Sequence, residues 1–220
     1  MTPRTLECVD VEIWSDIACP WCYVGKRRFE RALEAYPGRD AVAITWRSFE
    51  LDPAAPPERP GSHAEHVARK YGRPLEQVRA MHEEMTRTAA AEGVEFRFDL
   101  VRGGSTFDAH RILQLAAALG VQDAAKERLL RARHAEGELL SDHETLVRLA
   151  AEVGIPEQEA RETLATDRFA DTVREDERTA AALDIHAVPF FVVDRRMAVS
   201  GAQQPELFLK MLERAQPAAR

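Results

Sequence analysis

Residues 9–29 read Val9-Asp10-Val11-Glu12-Ile13-Trp14-Ser15-Asp16-Ile17-Ala18-Cys19-Pro20-Trp21-Cys22-Tyr23-Val24-Gly25-Lys26-Arg27-Arg28-Phe29. Val9, Val11 and Ile13 alternate with Asp10 and Glu12, the period of a half-buried strand. After a short turn, Cys22, Phe29, Leu33 and Tyr36 recur at helical spacing, and Pro37-Gly38 stops the helix. Two cysteines separated by two residues therefore fall where a strand gives way to a helix. The first turn of a helix brings such thiols close enough to close a disulfide. Cys19 is expected at the helix N-terminus, exposed, where unpaired N–H groups and the helix dipole favour a thiolate. Thiols at such sites have pKa values of about 3.5 to 7.5, against about 8.5 for free cysteine. Cys22 is expected to point inward as the resolving thiol. Pro20 suits the first helical turn, where its missing N–H costs nothing.

Other readings of the pair are weaker. Half of a zinc site needs two more ligands at sensible spacing. No second C-x-x-C exists, and His63 and His66 lie in a separate segment beyond a proline-rich linker. The strand before the motif and the helix after it also disfavour two unrelated buried cysteines. Cys8, the third cysteine, reads as a plain buried or edge thiol with nothing nearby to activate it.

Working outward, Val42, Ile44 and Trp46 alternate again, so the first fifty or so residues read strand–helix–strand. Pro53, Pro56, Pro57, Pro60 and Gly61 form a linker. Ser62 with Glu65 then forms a capping box. Pro74 opens a helix with Val78, Met81 and Met85 on one face. Val94, Phe96, Phe98 and Leu100 suggest an extended segment. Residues 106–182 are helical in pattern, with a capping box at Ser141 and Glu144 and a cap at Thr166 or Asp167. Phe190-Phe191-Val192-Val193 reads as a buried strand, Asp194-Arg195-Arg196 as a turn and residues 197–200 as a second strand. Pro205 opens a last helix with Phe208, Met211 and Leu212 inward.

The first strand–helix–strand unit has too few strands to stand alone, so the strands after Pro189 must return to it. The expected architecture is an α/β fold in which residues 1–61 and 179–220 share one sheet and residues 62–178 form a helical insertion. Val188-Pro189 directly precedes the returning strand, where proline is tolerated. Alone, it reads as an ordinary trans proline. Beside the cysteine motif, it reads as a cis bond packed against the Cys19–Cys22 turn, with the Val188 backbone available to an incoming extended peptide.

Composition bounds the partners. The chain has 220 residues, 45% hydrophobic and 30% charged, with a formal net charge of −7 and a pI of about 5.6. A nucleic-acid binder needs a basic stripe, which this balance argues against. The most apolar stretch, residues 187–193, is far too short to cross a bilayer, so no membrane partner is expected. No apolar leader follows Met1, and the expected location is cytoplasmic.

Three stretches together carry a family resemblance: residues 15–29, the segment Thr106-Phe107-Asp108-Ala109-His110-Arg111, and Val188-Pro189-Phe190-Phe191-Val192. With the tail Ser200-Gly201-Ala202-Gln203, they resemble the DsbA-like branch of the thioredoxin superfamily, in particular its FrnE-type subgroup. The resemblance implies a thioredoxin fold with a helical domain between its first βαβ unit and its C-terminal ββα unit. It implies a thiol–disulfide oxidoreductase or isomerase with Cys19 as nucleophile and Cys22 as resolving thiol. Pro20, Trp21, Val188 and Pro189 would contact the substrate, a thiol- or disulfide-bearing protein or small molecule. No prosthetic group or metal is implied, and glutathione is a candidate co-substrate. His110 is expected to line a substrate groove or relay a proton, against the plainer reading of a buried packing residue. Ser105, Asp184, Ala187 and Arg195 depart from the family pattern. The same branch holds 2-hydroxychromene-2-carboxylate isomerase and kappa-class glutathione transferase, the alternative reading. Those proteins bind glutathione and typically carry serine at the position of Cys19, so Cys19 argues against it.

Overall fold

The computed structural model describes residues 8–215. Residues 1–7, on which the expectation about a leader rests, and residues 216–220 lie outside the described residues. The chain runs β1 (Val9–Ser15), α1 (Pro20–Ala35), a 3-10 turn (Arg39–Ala41) and β2 (Val42–Ser48). Seven helices follow: α2 (His63–Tyr71), α3 (Leu75–Ala91), α4 (Phe107–Ala118), α5 (Gln122–His134), α6 (His143–Glu152), α7 (Glu157–Ala165) and α8 (Ala170–Ala182). The chain ends β3 (Phe190–Val193), β4 (Met197–Ser200) and α9 (Pro205–Ala215).

The strands form one sheet in the order β2-β1-β3-β4. β1 and β2 pair in parallel, with Val11 opposite Ile44, and β3 joins β1 antiparallel, with Ile13 opposite Phe191. The two ends of the chain thus build one sheet, as expected. On one face, α1 and α9 bring Phe29, Phe208, Met211 and Leu212 onto Val9, Val11, Ile13 and Phe191. The three rings of Phe29, Phe191 and Phe208 meet at centroid distances of 4.5 to 5.6 Å. The helices between β2 and β3 have their own core, built on Leu115, Leu129, Leu130 and Leu146.

β1 differs from the half-buried strand its alternation suggests. Everything from Val11 to Ser15 is buried, because helices from between β2 and β3 cover its second face. Asp176 of α8 accepts hydrogen bonds from Ser48 N–H at 2.9 Å and Gln114 Nε2 at 2.7 Å, while the Trp14 indole donates to its backbone carbonyl at 3.0 Å. Glu12 tolerates burial because the Arg47 and Arg195 guanidiniums hold it below the usual carboxylate range, Arg195 most strongly and against the cost of burial.

Several local expectations shift. Ser62 and Glu65 form the capping box, but α6 is capped one residue later, by Asp142 onto Thr145 N–H at 2.8 Å. Thr166 ends α7 rather than opening α8, which starts from Phe169 at φ 65° with no side-chain cap. Residues 94–100 form no strand; Arg97 N–H donates to the His134 carbonyl at 2.7 Å, and Phe98 joins a ring stack instead. Asp184 and Arg195 adopt left-handed φ values of 58° and 51°. We propose that residues 62–178 approximate the insertion; their far end falls inside α8, which packs on β2.

Candidate active site

The turn from β1 into α1 carries the cysteines. Asp16 organises it: one oxygen accepts from Ala18 N–H at 3.0 Å and the other from Leu51 N–H at 2.8 Å. Cys19 N–H donates to the Asp16 carbonyl at 3.2 Å, and Cys22 N–H to the Cys19 carbonyl at 3.1 Å. Cys19 is the N-cap residue of α1 and Pro20 its first residue. A helix has free amides at this end, so the first thiol sits where negative charge is favoured.

Both thiols are free. Cys22 is fully enclosed, whereas Cys19 keeps 6% exposure and lines a cavity. Cys19 is thus the reachable thiol but not the exposed one that its helix-terminal position suggests. It packs with Trp14, Ile185, Val188 and Val192, and its thiol donates to the Val188 carbonyl at 3.5 Å. Cys8, expected to be buried or at an edge, is exposed immediately before β1.

The two thiols titrate as a pair. Cys19 is pushed well above the ordinary thiol range, first by its hydrogen bond to Cys22, then by burial and by the charge on Cys22. Cys22 is lowered: burial opposes ionisation, but the Cys19 S–H, the Lys126 cation and the Ser15 hydroxyl outweigh it. The first proton leaves early and the second is held late, as for any two like charges sharing a site.

Two buried charges that the sequence reading passed over shape this behaviour. Lys126 of α5 has no exposed surface and reaches the Ser15 carbonyl at 3.3 Å, with its ammonium 5.5 Å from the Trp46 ring centre. Burial pushes it down to about 8, against the charges of Cys22, Asp16 and Cys19, which raise it. Asp16 lies at about 2; burial raises it, but His110, Leu51 N–H and Ala18 N–H overcome that.

Val188-Pro189 is a cis peptide. A Cβ on Gly25 would lie 2.8 Å from Pro189 Cγ, so the α1 backbone and this loop are in direct contact. Trp21 is 45% exposed beside Cys19. Cys19, Pro20 and Trp21 line one end of a cavity of about 610 Å³ that runs between the cysteine turn, α2 and α3. Met81 faces it rather than the core, and His82 stacks on Phe98 in its wall, with ring centres 4.1 Å apart. His63 completes the stack; it is kept neutral, down to about 3, by burial first and by Arg133, His82 and His66.

His110 does not line this cavity. Its side chain is fully buried, with Nε2 3.5 Å from Asp16 Oδ1 and neither ring nitrogen in a regular hydrogen bond. The groove-lining placement expected from sequence is corrected to the buried one: His110 sits behind the cysteine turn and reaches it through Asp16. Phe107, one helical turn earlier, lies 4.3 Å from the Arg174 guanidinium. Among the described residues, no group of three or more His, Cys, Asp or Glu side chains is arranged to hold a metal ion.

The pattern of the DSBA-like thioredoxin domain family matches residues 10–213. A probable DsbA oxidoreductase from Streptomyces coelicolor superposes with a TM-score of 0.90 at 44% identity, over 96% of this chain and 93% of that one. Two more distant structures share the fold. A cytosolic disulfide reductase, DsbM from Pseudomonas aeruginosa, solved with glutathione, has a TM-score of 0.64 at 19% identity over 93% and 98% of the two chains. A 2-hydroxychromene-2-carboxylate isomerase has a TM-score of 0.66 at 16% identity over 94% and 93%.

Proposed function

The chain belongs to the DSBA-like thioredoxin domain family, and from that premise we propose that it is a thiol–disulfide oxidoreductase of the FrnE-type subgroup working through Cys19 and Cys22. The observation that carries this reading is the unequal access of the pair. Cys19 reaches a cavity at the start of α1, while Cys22 is sealed beneath it over Lys126.

In the reduced pair, placing the remaining proton on Cys22 presents a thiolate at Cys19. The Cys19 thiolate attacks one sulfur of a substrate disulfide, forms a mixed disulfide and expels one substrate thiolate. Cys22 loses its proton, attacks the Cys19 sulfur and expels the second substrate thiolate. The substrate gains two electrons, and the protein keeps a Cys19–Cys22 disulfide. Run backwards, the same steps oxidise a dithiol. Once Cys19 is in a mixed disulfide it has no S–H, so the Val188 carbonyl it engaged becomes free for a substrate N–H. Trp21 and Pro20 flank the substrate, and Pro189 packs against α1 at Gly25. His110 acts through Asp16, as a positioning residue.

The electrons reside in the sulfur pair, so this chemistry calls for no prosthetic group. Glutathione serves as candidate co-substrate, which the glutathione-bound disulfide reductase of the same fold supports. Partners are thiol- or disulfide-bearing proteins or small molecules, and a cytoplasmic setting suits a dithiol of this kind. Among the described residues, no helix is long and apolar enough to cross a membrane. The glutathione-dependent isomerase or transferase reading fares worse, because Cys22 would resolve any Cys19–glutathione adduct. Insulin-disulfide reduction with dithiothreitol, compared with glutathione conjugation of an aromatic electrophile, separates the two. Reduction without conjugation is expected, and conjugation alone would overturn the proposal.

A further inference from the structure

Arg133, in the last turn of α5, is a buried cation without a counter-ion. Its side chain is about 5% exposed, yet it lines the same cavity as Cys19. One guanidinium nitrogen donates to the Arg102 carbonyl, and Nε has no hydrogen-bond partner. Among the described residues, no carboxylate lies within ion-pair distance of it. The acid that acts on it from farther away is Asp16, already engaged by Ala18, Leu51 and His110. His63 of this wall and His134 behind it are both driven down to about 3, by burial first, and stay neutral, so neither adds a second positive charge beside Arg133.

A buried guanidinium that keeps an unused N–H is costly unless something completes it. A carboxylate completes it best, because its two oxygens match the planar fork side-on. Val78, Met81, Met85 and Phe98 give the cavity apolar walls, and its other charged lining residues are Arg59, paired with Asp52, and Lys70, Glu84 and Asp16. A chain with a formal charge of −7 repels anions at long range, so a buried guanidinium beside Cys19 with no carboxylate within ion-pair distance is a local exception to that field. The geometry points to Arg133 as the recognition residue for a carboxylate carried by the substrate: the preferred disulfide is a small molecule or short peptide with an acidic group, seated in the cavity while its sulfur meets Cys19. This rests on the thiol–disulfide reading above and adds the chemical class of its substrate.

The test uses single turnovers of the reduced protein against two small disulfides of similar size. One is 3,3′-dithiodipropionate, which carries two carboxylates; the other is 2-hydroxyethyl disulfide, which is neutral. Oxidation of the Cys19–Cys22 pair is followed by tryptophan fluorescence and confirmed by mass. Each disulfide accepts two electrons from the pair, so no other reductant is involved. The expected result is that wild type reacts at least about tenfold faster with the dianion relative to the neutral disulfide. Arg133→Met collapses that ratio towards one, and Arg133→Lys retains part of it. Because both rates come from the same preparation, any loss of folded protein cancels in the ratio. Arg131→Met removes an exposed arginine of the same helix, paired with Glu136, and should leave the ratio unchanged. A wild-type ratio near one, or an equal fall in Arg131→Met, overturns the inference while leaving the exchange reading intact. If neither disulfide oxidises the protein, the exchange reading falls and takes this inference with it.

Discussion

Lys126 shows how much one residue can hide. Its neighbours Ala124, Ala125, Glu127 and Arg128 make the stretch look like the solvated face of a helix, and nothing in the sequence marks the lysine as enclosed. Only the fold carries α5 under the cysteine turn. There its ammonium faces Cys22, Cys19, Asp16 and, less favourably, Lys26. The cation favours the first thiolate of the pair. In Lys126→Met, the midpoint for thiol alkylation in the reduced protein should rise by about one pH unit or more, the shift that loss of a nearby opposite charge produces. The check is the pH profile of iodoacetamide labelling in a Cys8→Ser background. A merely structural lysine would leave that midpoint in place even if stability changed. Cys19 and Cys22, by contrast, were legible from spacing and context, because a helix start is a local property. That a buried cation favours ionisation of the pair was not, because it depends on Lys126 beneath them.

At the scale of elements, α1 is the piece whose sequence is most constrained. Its start is set by Cys19 and Pro20, its buried side by Cys22, Phe29 and Ala32, and its closest approach to the Pro189 loop by Gly25. Gly25 lies in mid-helix, where alanine would normally add stability. Here the added methyl would meet the ring of Pro189 at 2.8 Å and Ala202 Cβ at 3.5 Å, and a proline ring cannot swing aside. Gly25→Ala should therefore cost about 1–3 kcal/mol, the usual range for overpacking, and slow insulin reduction by displacing the loop beside Cys19. Urea unfolding together with the insulin assay decides it; a more stable, fully active variant contradicts the packing account. Strands and the long amphipathic helices were readable from their periods. Residues 94–100 were not, because the alternation of Val94, Phe96 and Phe98 serves contacts with helices rather than a sheet ladder.

Across the whole molecule, the cysteine turn joins two cores. Ile17, Tyr23 and Val24 belong to the helical cluster, while Phe29 and Ala32, later on the same helix, belong to the sheet cluster. Asp16 binds these parts together through Ala18 of the turn, Leu51 after β2 and His110 of α4. Its carboxyl falls from 3.8 to about 2 on folding. A depressed acid adds stability that is complete above the unfolded value and is lost as pH falls through the folded one. Asp16 should thus contribute about 2 kcal/mol at neutral pH that disappears between about pH 4 and pH 2. Asp16→Asn should be less stable at pH 7 and lose correspondingly less on acidification. Urea midpoints at pH 7 and pH 3 for both proteins measure it; parallel acid losses would contradict it. That the chain's two ends share a sheet was inferable from the shortage of strands in residues 1–61. How the helices close over β1, and that they bury Lys126 and Arg133, was not, since long-range packing leaves no periodic trace.

The account stands on Cys19 as the attacking sulfur. The most direct measurement is mass spectrometry of the Cys8→Ser, Cys22→Ser protein after brief exposure to a disulfide substrate, with Cys8→Ser, Cys19→Ser treated in parallel. Without Cys22 the mixed disulfide cannot be resolved, so the first protein should accumulate one adduct on Cys19. The second should stay unmodified, because Cys22 has no exposed surface. An adduct on Cys22 in the second protein, with none on Cys19 in the first, would contradict the account.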